Sequence, residues 1–132
     1  MVRRADLTLE WADGEYAFAL RAKEIEAIEA ECWNPATGKP GIGLGAIWQR
    51  VMGGDWYFTD LRHIIRHGLI GGGMGAVDAA RMCKTYVDGV PISTMSPDAT
   101  KPDCPLLVAQ AVLAAAVIGV EDDGGGKPRP PK

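Results

Sequence analysis

Apolar and polar residues alternate at the start of the chain and then recur at a helical period, so a short sheet followed by helices is expected. Leu7, Leu9 and Trp11 alternate with Thr8 and Glu10, which places three apolar side chains on one face of a strand. Asp13-Gly14 tolerates the positive φ angles of a tight turn, and Tyr16, Phe18 and Leu20 then alternate with Ala17, Ala19 and Arg21. This is the pattern of an antiparallel hairpin. A two-stranded hairpin is marginal in water by itself, so its aromatic face is expected to pack on helices.

Ile25, Ile28 and Cys32 mark the apolar stripe of a first helix, with Lys23, Glu24, Glu26 and Glu31 off it. Asn34-Pro35 and the GKPGIG segment read as a loop. Leu44, Ile47, Trp48, Val51 and Met52 give a second helix, closed by Gly53-Gly54. A third helix starts near Thr59 or Asp60, either of which can cap it, and turns Leu61, Ile64 and Ile65 inward. Gly68 is expected at its C′ position. Val77, Ala80 and Val87 mark a fourth helix ending near Asp88-Gly89, and the polar stretch from Pro91 to Asp103 reads as a surface loop. Pro105 suits the first turn of a last helix that carries the apolar run from Leu106 to Val120.

The fold class is therefore α+β and mostly helical, with an N-terminal β-hairpin packed on four to five α-helices. Residues 1–120 form a single globular domain, and 121–132, charged and then Gly- and Pro-rich, form a disordered tail. The expected core contains Leu7, Leu9, Trp11, Ile25, Ile28, Ile47, Trp48, Val51, Ile64, Ile65, Val112 and Leu113.

Composition narrows the function. With 132 residues and 47% hydrophobic content the chain can bury a real core. A formal charge of -3 and a single N-terminal Arg3-Arg4 pair argue against nucleic acid as a partner. The apolar run is interrupted by Gln110 and shorter than the ~20 residues that span a bilayer, so no membrane role is expected. Cys32, Cys83 and Cys104 are odd in number and lack CxxC spacing, and no signal-peptide pattern opens the chain. Free thiols in a reducing cytoplasm follow as the expectation.

The segment DLRHIIRHGLIGGGMG, from Asp60 to Gly75, is the most distinctive. His63 and His67 stand four apart on one helical face, a spacing that can serve a metal, but neither the Glu of HExxH nor a third ligand is placed by the sequence. A polar stripe is the expectation, with Arg62, His63, Arg66 and His67 mostly exposed and contributing little to stability. Gly71, Gly72, Gly73 and Gly75 lack the Gly-Lys-Ser/Thr of a P-loop and the preceding strand of a dinucleotide fingerprint, so they read as a close backbone approach. Glu24, Glu26, Glu29 and Glu31 spread around a helix as a solvated face. Neither GxSxG nor a Cys-His pair appears, and Ser93 and Ser96 sit in the loop. The chain is expected not to be an enzyme and to hold no cofactor and no metal. Trp56 and Tyr57, ahead of the third helix, either join the core or anchor a partner.

The D-G-E-Y turn of the hairpin, EIEAIEAEC, GIGLGAIWQRV, DLRHIIRHGLIGGG and the Ala/Val/Leu-rich last helix occur in the order seen in a known family. The chain resembles the small tail proteins of gene transfer agents and related prophages, a group labelled both tail assembly chaperones and tail tube proteins. His67-Gly68-Leu69 followed by glycines is the most specific part. The resemblance implies a phage or gene-transfer-agent tail assembly protein, a chaperone that binds the tape measure protein through Trp56, Tyr57, Arg62, Arg66, Leu69 and Ile70. The alternative is a structural tail tube or tube-end subunit. Other tail proteins and further copies of the chain are the remaining partners, in the host cytoplasm or in the virion tail. Such chaperones are often made in two lengths by ribosomal slippage, and codons for Gly125-Gly126-Lys127 can form a slippery heptamer.

Overall fold

The hairpin forms where the alternation placed it. In a computed structural model that describes residues 3–93 and 104–121, β1 (Arg3–Arg4) leads into β2 (Asp6–Trp11), which pairs antiparallel with β3 (Gly14–Ala19). Leu7 faces Phe18 and Leu9 faces Tyr16, so the apolar residues share one face. Trp11 packs edge-to-face on Tyr16, Phe18 and Tyr86 with ring centroids 5.7, 5.8 and 5.8 Å away. The turn lies one residue earlier than expected. Trp11 pairs with Gly14, so Ala12 and Asp13 make the bend, and Ala12 carries the positive φ of 57°. The Tyr16 hydroxyl donates to the Asp13 carboxylate across this bend.

Five helices follow among the described residues: α1 (Ala22–Glu31), α2 (Leu44–Gly53), α3 (Phe58–Gly71), α4 (Ala76–Tyr86) and α5 (Pro105–Val117). The expected loop after α1 contains a small ribbon, β4 (Trp33–Asn34) with β5 (Lys39–Pro40). Asn34 organises it: Oδ1 accepts from the Ala36 N–H at 3.0 Å, and Nδ2 donates to the Gly41 carbonyl at 2.8 Å. β6 (Val120–Glu121) returns to pair antiparallel with β1, which joins the two ends of the described chain. No helix among the described residues is long and apolar enough to cross a membrane.

Helix α3 is central, in contact with β3, α1, α2, α4 and α5. Leu61, Ile64, Ile65 and Leu69 are buried along it. Trp11, Ile28, Ile47, Val51, Val112 and Leu113 are also buried as expected, whereas Leu7, Leu9, Ile25 and Trp48 pack against the core only half-buried. In α4 the phase differs from the expectation. Val77 is 75% exposed and Ala80 is exposed, while Ala79, Cys83 and Val87 face inward. Small residues give a weak periodic signal, and the larger Val77 misled it.

Gly68 does not end α3. The helix runs on to Gly71, and Gly68 is buried where an added Cβ would lie 3.1 Å from both Phe18 and Val112 side chains. The loop residues 94–103, Ser96 among them, and the tail beyond 121 with Gly125-Gly126-Lys127 lie outside the described residues.

Candidate functional site

The start of α3 is built on a buried ion pair. Asp60 sits in the first turn, not at the cap, and its Oδ2 accepts the Tyr57 N–H at 2.9 Å. Arg50, in the last turn of α2, forks onto the same carboxylate: Nε to Oδ2 at 2.8 Å and Nη2 to Oδ1 at 2.7 Å. The Asp60 side chain is fully buried and that of Arg50 is 10% exposed. Cys32, just past α1, also hydrogen-bonds with Asp60. Burial first, and then the Asp60 charge, push its thiol up to about 12, so it is inert at neutral pH. Burial pushes Cys83 up to about 11, and Cys32, Cys83 and Cys104 are all free and buried.

One turn further on, α3 meets the end of α1. Glu31 Oε1 lies 3.1 Å from His63 Nδ1, 3.0 Å from His67 Nε2 and 2.9 Å from Arg66 Nη2. The expectation that both histidines are mostly exposed is wrong. His67 is 7% exposed and the His63 side chain 17%, because α1 packs directly over this face of α3. The sequence could not place the partner, since Glu31 reads as one more acid on a solvated helix. Among the described residues no group of three or more His, Cys, Asp or Glu is placed to hold a metal ion. The Arg66 guanidinium occupies the same Glu31 oxygen that a cation would need.

The other acids correct the solvated-face expectation too. Glu24 is buried and accepts the Arg21 N–H at 3.0 Å, capping α1, and Glu29 accepts the Leu44 N–H at 2.8 Å, capping α2. Only Glu26 is a plain solvated acid. Gly71 and Gly72 face the Ala19 and Ala17 carbonyl oxygens, which would repel an anion, so they form no phosphate cradle.

The Glu31 cluster makes stability depend on pH. Burial pushes His63 below its ordinary 6.5, and the charges of Arg66, His67 and Arg62 act with it against Glu31. Burial alone would raise Glu31, but the His67 hydrogen bond and the His67, Arg66 and His63 charges hold it below 4.5. In both cases the unfolded chain binds the proton more readily. The cluster's contribution to stability is therefore full above pH 6.5, falls as His63 titrates below that value, and falls again as pH drops through the Glu31 value. Urea midpoints between pH 8 and pH 4 check this, and His67→Gln should cost about 1–2 kcal/mol at neutral pH.

The six residues expected to bind a partner do not form one surface. Leu69 is in the core at 1% exposure, and Ile70 and Trp56 are partly buried against it. Tyr57 is 38% exposed, with the Arg50 guanidinium 4.9 Å from its ring centroid. Arg62 pairs with Asp88 at 3.1 Å and lies 5.1 Å from the Phe58 ring centroid, while Arg66 is held by Glu31. Of the six, Tyr57 is exposed, Trp56, Arg62, Arg66 and Ile70 are partly accessible, and Leu69 is not.

No curated protein and no solved structure matches the chain. The profile of one family, described as "Phage tail tube protein, GTA-gp10", matches residues 4–101, which spans the hairpin, α1 to α4 and the glycine cluster. The chain belongs to this phage and gene transfer agent tail family.

Proposed function

We propose that the chain is a structural subunit of the tail, seated at the tube or its end through contacts with other tail proteins and with further copies of itself. The family match over residues 4–101 carries this reading. The fold supports a tube-end position over the tube shaft. Every sheet among the described residues has two strands, and the longest strands have six residues. A subunit that closes a continuous β-ring supplies longer strands with both edges paired. In this reading the chain assembles in the host cytoplasm and performs no chemistry.

The same shortage of strands favours a second reading, an assembly chaperone that shields the apolar stripes of a tape measure protein and then leaves. Recognition would be of the helix-in-groove kind, with many weak copies along one filament. Quantitative mass spectrometry of purified particles separates the two. A tube-end subunit should be present in fixed ratio to other tail proteins. Absence from particles, with co-purification of the tape measure protein from cells blocked before tube assembly, would establish the chaperone instead.

A further inference from the structure

We infer that the outer edge of β2 is a strand-addition site for an extended, Lys- or Arg-bearing segment of a neighbouring tail protein, a partner class that rests on the tail reading above. The register defines the edge. In a two-residue hairpin closed by Trp11 and Gly14, the residues exchanging backbone hydrogen bonds with β3 are Leu7, Leu9 and Trp11. The N–H and C=O groups of Asp6, Thr8 and Glu10 therefore point away from β3. Among the described residues no third strand pairs there, and no backbone hydrogen bond satisfies those groups.

Burial marks the same gap. At the Leu7–Phe18 rung, Leu7 stays half-buried although it lies on the apolar face, whereas Phe18 across from it is 0% exposed; at the next rung Leu9 and Tyr16 are both half-buried. A strand added beside β2 would place its inward side chains over Leu7 and Leu9, as cross-strand neighbours do.

Charge selects the occupant. Glu10 stands directly opposite Glu15, a cross-strand pairing of like charges that costs stability, and neither has an ion-pair partner among the described residues. Asp13 extends the negative field at the turn, while the Asp6 carboxylate is paired with Arg4 Nε at 3.7 Å. A second copy is a poor occupant. Antiparallel pairing of two β2 edges about Thr8 would bring Asp6 of each copy against Glu10 of the other, a guard against self-pairing. A segment with basic residues on its outer face would relieve the Glu10–Glu15 repulsion while it satisfies the open backbone groups.

The test uses the isolated full chain and a synthetic peptide, Thr-Lys-Val-Lys-Val-Lys-Thr, so its outcome does not depend on whether the protein stays in particles. Binding followed by amide hydrogen exchange should slow exchange at Asp6, Thr8 and Glu10 and weaken with added salt. The analogue with Glu for Lys should not bind. Thr8→Pro removes an outward N–H at a position where an edge strand tolerates proline, and should weaken binding at least tenfold with the β2–β3 amides still protected. The double variant Glu10→Lys with Glu15→Lys should reverse the preference toward the Glu peptide. No binding, protection at other amides, equal binding of both peptides, or self-association through these amides would each overturn the proposal.

Discussion

Gly71→Ala should cost at least about 4 kcal/mol or abolish folding, a loss found only where a substitution meets a specific structural obstacle. A Cβ on Gly71 would sit 1.8 Å from the Ala19 carbonyl oxygen and 2.9 Å from both the Ala19 carbonyl carbon and Glu24 Oε1. The obstacle is backbone, so no side-chain rotation relieves it; α3 and β3 must separate. Gly72 has the same neighbour one step along, with a Cβ 2.1 Å from the Ala17 oxygen. Separating α3 from the hairpin would expose Phe18 and Leu20, which are buried at 0% and 2% exposure. Gly45→Ala is the contrasting control. It lies in α2 with nothing within 4 Å of the added Cβ, so the better helix former should raise stability by roughly 0.5–1 kcal/mol. Thermal and urea unfolding of both variants check the pair. A Gly71→Ala protein with near-normal stability would mean that α3 and β3 are not packed backbone to backbone.

Asp60→Ala should destabilise by about 3–5 kcal/mol, because it strands the Arg50 charge in a site with little water. It also removes the acceptor for the Tyr57 N–H, a hydrogen bond of 2.9 Å at the start of α3. Arg50→Met alone should cost a similar amount by leaving the Asp60 carboxylate unpaired. The double variant Arg50→Met with Asp60→Leu should be much less damaged than the sum of the two single losses, since a buried pair replaced by apolar residues can be nearly neutral. A double-mutant cycle by urea denaturation measures this. Additive losses would show that Arg50 and Asp60 act independently, against the forked geometry of 2.8 and 2.7 Å.

Much of the local structure was legible because it rests on short-range periodicity. The alternation of Leu7, Leu9 and Trp11 placed β2, the Leu44 to Met52 stripe placed α2, and Pro105 marked the first turn of α5. The family likeness was legible as well, in the run from Asp60 through the glycines. The apolar stripe around Val77 failed because α4 packs with Ala79 and Cys83, whose small side chains contribute little to a periodic signal. Gly68 was misplaced as a helix end because a glycine required by a tight packing contact cannot be told from a capping glycine without knowing its neighbours.

The sequence by itself determined the hairpin, the helices and the membership of a tail family, since each depends on residues close together along the chain. Tertiary structure alone decided which acid meets which base. Glu24, Glu29 and Glu31 look alike as letters, yet one caps α1, one caps α2 across 15 positions and one gathers two histidines and an arginine 32 to 36 positions away. It also decided that β1 closes on β6 and that, among the described residues, β2 pairs along one edge alone. Backbone pairing between distant segments depends on how helices pack between them, and no local pattern of residues records that.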